Sequence, residues 1–354
     1  MFFREVPLSL MRNRTASPDL RPSFLITIDT EGDNAWSAPA VVSTHNSRFL
    51  IRFQALCESY GFKPAYLTNF EMARCPDFQE FGRDVLKREA GEIGMHLHAW
   101  NSPPLIPLTT DDLRYCPYLI EYPEQIMREK ILVMTELLED TFGMKMTSHR
   151  AGRWSFNATY ARLLVEMGYR VDCSVTPHVS WQKQLGDPNQ SGGTDYRGFP
   201  ELPYMLNLKD ISKEGHSPLL EVPMTIMNNR TGVSRRMEPF LRPGMGVFRL
   251  LNKLSPTVSW LRPNGRNLKK MLRILKSAED QERDCVEFML HSSELMPGGS
   301  KLFPRDEDIE DLYKDLEQLF NQAARVFKGE TLTGFHSSFM GQNLAVQLQK
   351  SLTN

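Results

Sequence analysis

The sequence predicts an α/β fold: a parallel sheet closed, or nearly closed, into a barrel of about seven strands. Three observations lead there. Short apolar, β-branched runs alternate with helical stretches about seven times along the 354 residues. Many of those runs end in residues that carry chemistry. One of them, Gly91–Trp100 (GEIGMHLHAW), holds His96-Leu97-His98, and residues two apart on an extended chain leave the same face.

The elements follow in order. Phe24–Ile28 (FLITI) is a buried strand that closes on the acidic cluster Asp29-Thr30-Glu31-Gly32-Asp33. Residues 46–60 form a helix stopped by Gly61, and Lys63–Thr68 is the second strand. A helix around 77–90 leads to Gly91 and the third strand, Glu92–Leu97. The connection 100–123 holds five prolines and is long enough to be a functional loop wrapped over a site mouth. In 124–142, Met127, Ile131, Met134, Leu138 and Phe142 fall at steps of three and four, one face of a helix, with Gly143 as its C-cap. Met144–His149 is the fourth strand and delivers Arg150 and Arg153. A helix over 156–167 ends at Gly168. Tyr169–Val175, Leu219–Val222 and Val286–Leu290 are the fifth, sixth and seventh strands. A final amphipathic helix covers about 305–327, with Ile309, Leu312, Leu316 and Leu319 on one side. Asp29, His96, His98, Arg150, Asp172, Glu221 and His291 all fall at or near strand ends, where barrels of this kind carry their chemistry.

Composition narrows the class. Hydrophobic residues at 41% and charged residues at 24% describe a globular chain with a sizeable core. A net charge of −1 argues against a general nucleic-acid binder. Five cysteines without a CxxC pair, beside 18 methionines, point to a reducing, cytoplasmic setting and not to a disulfide framework. No apolar run reaches the roughly 18–20 residues that span a bilayer. Residues 1–20 lack the apolar core of a signal peptide and read as an arm before a single domain, 21–354. That domain carries a basic insertion at about 224–276. Within it, residues 230–276 hold twelve Lys/Arg and one acid, Glu238, together with Phe240, Phe248 and Trp260. It reads either as a solvated helical insert or as a basic surface for a phosphate, on a nucleotide-sugar, a lipid-linked pyrophosphate or an anionic membrane face.

Five pieces then stand in one order: TIDTEGD (27–33), EIGMHLHAW (92–100), HRAGRW (149–154), VDCSV (171–175) and MLHSSEL (289–295). This set resembles the NodB-homology polysaccharide deacetylases, nearest to the divergent branch found in lipopolysaccharide and O-antigen biosynthesis. The resemblance implies a distorted (β/α) barrel of about seven strands. It also implies metal-dependent hydrolysis of an N-acetyl or N-formyl group from a sugar, free or nucleotide- or lipid-linked. It makes Asp29 the general base, Arg150 the arginine that orients and charges it, Asp172 the acid supporting that arginine, and His291 the general acid. His96 and His98 become ligands of a divalent metal, zinc first. The family usually shows adjacent acids and His-x-x-x-His. Here the pattern is Asp-x-Glu-x-Asp and His-x-His, with Trp100 where the second histidine would fall. The carboxylate ligand is therefore Glu31, on the face of Asp29, or Asp33. Asp33 is preferred because a residue past the Gly32 turn can fold back over the strand ends.

Trp36, Trp100 and Trp154, each following a motif, and Trp181 are candidates for stacking on a sugar face. Arg153 and Glu221 are candidate substrate contacts. Ser292 and Ser293 lack a G-x-S-x-G elbow, which removes a serine hydrolase. His45, His149, His178, His216 and His336 have no partner pattern and read as structural. Three other functions stay open: an amidohydrolase barrel, disfavoured because the acids precede the histidines; a metal-independent barrel glycosidase pairing Asp29 or Glu31 with Glu221; and a degenerate barrel that only binds glycan.

Overall fold

The computed structural model describes residues 21–35, 41–184, 186, 192–229 and 258–352, with side chains to 342. The arm 1–20, Trp36 and the stretch 230–257 of the basic insertion lie outside the described residues.

Eight of the described strands run parallel: β1 (Ser23–Thr30), β2 (Ala65–Thr68), β3 (Glu92–Leu97), β4 (Ser148–Ala151), β5 (Val171–Asp172), β7 (Leu220–Glu221), β10 (Cys285–His291) and β11 (Lys328–Gly329), the last pairing with the start of β1. The others lie in the order β10-β1-β2-β3-β4-β5-β7, and β6 (Tyr204–Met205) adds antiparallel to β7. The strand expected at Met144–His149 forms later, at Ser148–Ala151. The Met146 N–H is taken by the Glu139 side chain at 3.1 Å, so no neighbouring strand can pair with it. The fifth and sixth ladders shrink to two residues each.

A hairpin absent from the sequence reading closes the barrel. β8 (Ile226–Asn228) and β9 (Val258–Trp260) pair antiparallel, and the residues beside them bond to β10. Thr225 Oγ1 accepts from Glu287 N at 2.8 Å, Leu261 N donates to Thr225 O at 3.0 Å, and Met289 N donates to Leu261 O at 3.3 Å. The stretch 230–257 therefore joins the two strands of this seam.

The described α-helices are α1 (Leu50–Ser59), α2 (Phe70–Ala73), α3 (Pro76–Lys87), α4 (Asp112–Tyr115), α5 (Glu124–Phe142), α6 (Ala158–Glu166), α7 (Leu268–Asp280), α8 (Asp306–Val326) and α9 (Leu332–Leu352). Helix α5 spans the residues its periodicity predicts, and Gly143 ends it at φ 67°, a left-handed value that glycine adopts without a Cβ clash. Between the sheet and α8, Phe320 meets Phe62 at 5.4 Å and Phe288 at 5.6 Å between ring centroids. Truncating such a ring costs about 3–5 kcal/mol.

Alternation along each strand divides the buried residues between two cores. The larger lies outside the barrel, against the helices. The smaller fills its lower interior with Leu25, Ala65, Leu67, Val171, Cys173, Leu220 and Val222. Leu332 and Phe335 of α9 join this inner cluster and plug the base. Glu92, at the start of β3, fixes the plug by accepting from Thr333 N at 2.9 Å and Thr333 Oγ1 at 2.8 Å; a carboxylate at a helix N-terminus also suits the helix dipole. With its base filled by apolar side chains, the barrel presents its polar groups at the opposite end. No described helix is long and apolar enough to cross a membrane.

Candidate functional site

The upper interior begins with Arg150. Its side chain is fully buried, and an unpaired guanidinium there would cost several kcal/mol. It is amply paired. Nη1 donates to Asp29 Oδ1 at 2.6 Å, Nη2 donates to Thr27 Oγ1 at 2.7 Å and to the Glu287 carboxylate, and Nε donates to Cys173 O at 3.1 Å. The guanidinium also lies 4.9 Å from the Trp154 ring centre. Burial resists a charge on Asp29, but Arg150, then His96 and His291, outweigh it and hold the carboxyl well below its ordinary range. Glu287 shares the same arginine with the opposite result: burial dominates and pushes its pKa up to about 7.

Above this pair three donor groups converge. Glu31, His96 and His98 each offer one ligand atom, and those atoms all lie within 4.8 Å of one another. His98 Nε2 is 3.2 Å from Glu31 Oε2, His96 Nε2 is 3.8 Å from it, and the two Nε2 atoms are 2.9 Å apart. His96 Nδ1 lies 3.0 Å from Arg150 O, which fixes the ring and leaves Nε2 facing the cluster. Burial lowers the His96 pKa to about 4 against the pull of Asp29, so the ring stays neutral near pH 7. Two imidazoles and a carboxylate aimed at one point fit a divalent cation. Gly152 permits the approach: a Cβ there would sit 2.4 Å from Leu97 O and from His98 Cδ2.

His291 completes the ring. It is the register partner of Asp29 across β1 and β10, and its Nε2 lies 3.6 Å from Asp29 Oδ2 and 3.8 Å from Glu31 Oε1. Nδ1 is 2.9 Å from Arg262 Nη2, which also donates to Glu294 Oε1 at 2.7 Å. Burial and Arg262 oppose a charge on His291, but Glu294, Glu31 and Asp29 outweigh them and raise its pKa above 6.5. Asp29, His96, Arg153, Trp154, Trp181 and His291 line one open cleft. Arg153 and Trp154 both hold left-handed backbone, at φ 56° and 58°, strain of the kind stored at functional sites.

Several expectations need correction. Asp33 is not in the cluster. Its carboxylate accepts from Ser43 Oγ, from His45 N at 2.7 Å and from Asn46 N at 3.3 Å, so it caps the turn that follows. Asp172 does not support Arg150; it takes His149 Nδ1 at 2.6 Å and Ser174 N at 3.0 Å, and the second carboxylate on the arginine is Glu287. Glu221 is no cleft wall. It pairs in register with Asp172, is fully buried, and accepts from Val175 N at 2.9 Å. Their neighbours Val171 and Leu220 face the barrel interior, so Asp172 and Glu221 face the helices. Trp100 packs on His98, ring centres 4.5 Å apart, and lines a groove beside the cleft. Trp36 lies outside the described residues.

Other residues at the site escaped the sequence reading. Glu287 carried a signal, since CVEFMLH places it four residues before His291 and hence on the same strand face. Arg262 and Glu294 carried none. Nor did Asn46, and the sequence raises Ser292 only as a nucleophile; both brace the backbone of Glu31: Asn46 Nδ2 donates to Glu31 O at 2.8 Å, and Glu31 N donates to Ser292 Oγ at 3.1 Å.

No family model matches the chain, and no curated protein matches it. Solved structures do. A protein of Mycobacterium smegmatis assigned as a polysaccharide deacetylase is similar over 93% of this chain and 93% of its own, with a TM-score of 0.52 at 13% identity. One of Parabacteroides distasonis assigned as a glycoside hydrolase/deacetylase is similar over 91% of this chain and 72% of its own, with a TM-score of 0.58 at 12% identity. At these identities the likeness shows the fold, a mostly parallel curled sheet wrapped by helices, and it agrees with the barrel that the sequence predicts.

Proposed function

We propose that the chain hydrolyses the N-acyl group, acetyl or formyl, of a sugar, with a divalent cation held by Glu31, His96 and His98. One observation carries this reading: a buried carboxylate–imidazole cluster, a carboxylate held ionised by a buried arginine, and a further imidazole meet at one barrel mouth. When bound, the cation supplies a Lewis acid for the acyl oxygen and for the attacking water. Zinc suits two imidazoles and a carboxylate. Asp29, ionised and fixed by Arg150, takes a proton from the water. His291 faces the same point from the next strand and gives a proton to the departing amine. The rings of Trp154 and Trp181 wall the cleft as flat surfaces for a sugar. The two structural neighbours, one assigned as a polysaccharide deacetylase and one as a glycoside hydrolase/deacetylase, agree with this chemistry.

The finer reading is O-antigen or other cell-surface polysaccharide assembly, in the cytoplasm, on a nucleotide- or lipid-linked sugar. It is supported by the sequence motifs and by the basic insertion. A glycosidase that pairs Asp29 or Glu31 with Glu221 finds no support, because Glu221 faces the helices.

The test joins elemental analysis of the purified protein to acetate and formate release from a panel of N-acylated sugars. About one divalent ion per chain is expected, with release that stops on chelation and returns with zinc. His96→Ala should lose both ion and release. Metal-independent release, or a folded protein that retains no ion, overturns the reading.

A further inference from the structure

The turn after β4 delivers two arginines, and the fold treats them differently. Arg150 is fully buried and locked between the carboxylates of Asp29 and Glu287. Arg153 is half-buried and lines the cleft beside Asp29, His96 and His291. Its backbone is left-handed at φ 56°, a conformation that costs a non-glycine residue free energy and that persists where the surroundings enforce it. Its guanidinium lies over two rings, with Cζ 5.2 Å from the Tyr118 ring centre and 5.9 Å from that of Trp100. Both rings are anchored. Tyr118 Oη donates to Gln184 O at 2.5 Å, and Trp100 packs on His98 with ring centres 4.5 Å apart. An aromatic seat engages the flat of a guanidinium, positions it and does not neutralise it, while the N–H donors point outward in the plane. A charged planar fork fixed at a cleft wall matches the paired oxygens of a carboxylate or a phosphate.

We propose that Arg153 is a specificity-determining residue that binds an oxyanion carried by the acylated sugar. The inference rests on the function proposed above and deepens it: the substrate is an acidic sugar derivative and not a neutral glycan unit. Two sources share this chemistry. One is a carboxylate in place of the hydroxymethyl group of the sugar, and the other is a phosphate on its anomeric oxygen. Connectivity supports the placement. Trp100 meets both Arg153 and His98, so the oxyanion site adjoins the carboxylate–imidazole cluster. A sugar gripped by its charge there is held with few ways to turn, and its acylamide is kept near the cluster.

The probes are N-acetylglucosamine and N-acetylgalactosamine, their anomeric phosphates and their uronic acid forms, with the N-formyl analogues of each. They are titrated calorimetrically into zinc-loaded protein, and release of acetate or formate is followed in parallel. In the wild type at least one charged sugar should bind about tenfold more tightly than its neutral parent, the size of one charge-assisted hydrogen bond. Arg153→Gln should bring that ratio close to one, and Arg153→Lys, which keeps the charge but not the fork, should keep part of it. Arg153→Gly should lose the ratio as well, on a backbone that glycine accepts at φ 56°, so a glutamine variant that fails to fold does not end the test. Thermal melts report the folding of all three. A ratio confined to the phosphates supports the inference with the anomeric source, and one confined to the uronic acids supports it with the carboxylate. The inference is overturned if no charged sugar exceeds its parent in the wild type. It is equally overturned if the ratio survives in Arg153→Gln or Arg153→Gly, as it would if the zinc alone drew the charge. An Arg153-dependent ratio without acyl release would leave the oxyanion site standing and remove the hydrolase. Acyl release with no charge preference would do the reverse.

Discussion

Strand β4 feeds two buried polar clusters from adjacent residues. Arg150 points inward, to Asp29, Thr27 and Glu287. His149 points outward, to Asp172 at 2.6 Å and Tyr160 Oη at 2.8 Å, and Glu221 lies beside Asp172 in register. The two clusters are alike in composition and burial. They differ in what lies above them: the inner one opens through His96 and His291 into the cleft, while the outer one is sealed between sheet and α6. Burial and ionisable chemistry therefore do not identify an active site by themselves. The direction in which a cluster meets solvent does.

Three substitutions sharpen that contrast, taken from the largest effect to the smallest. Asp29→Asn should lower turnover by about 10²–10⁴-fold, because the amide cannot take the proton, while circular dichroism and melting temperature stay near wild type. Comparable turnover would remove Asp29 as the base. Asp172→Asn should do the opposite: turnover changes little, while stability falls by about 1–3 kcal/mol as the hydrogen bond to a buried histidine weakens. A loss of turnover rivalling that of Asp29→Asn would break the division between the two clusters. Glu221→Gln should act least and only through pH. Burial, then the neighbouring Asp172, raises the Glu221 pKa well above 4.5. The folded state therefore keeps a proton that the unfolded chain releases, and wild-type stability drains as pH rises from about 4.5 toward the raised value. Glutamine cannot ionise, so the melting temperature of the variant should gain on wild type as pH rises above about 4.5. Parallel pH profiles would show that Glu221 is already charged in the fold.

The legibility of the site follows the same division. Residues on long ladders could be placed from the sequence. Asp29 is the penultimate residue of a strand of eight, His291 ends one of seven, and His96 lies in one of six, so position and face both follow from alternation. Residues on short ladders could not. β5 and β7 hold two residues each, too few for a sequence pattern to say which residue faces in, and Asp172 and Glu221 were placed on the wrong side. The choice between Glu31 and Asp33 depended on a turn whose shape is set by Ser43 and Asn46, ten and more residues away. Arg262 arrives on the seam hairpin, which no periodicity announced.

Strand β10 has unequal flanks. Against β1 it is zipped along seven residue pairs, the last of them Asp29 with His291. Against the hairpin it is held by scattered bonds such as Met289 N to Leu261 O at 3.3 Å. The spacing of Asp29 and His291, the proposed proton-handling pair, is thus set by the most extensively paired joint of the barrel. The hairpin, with Trp260 and Arg262, hangs on the loosest. Changes in that strip can therefore reshape the border of the cleft while Asp29 and His291 keep their register.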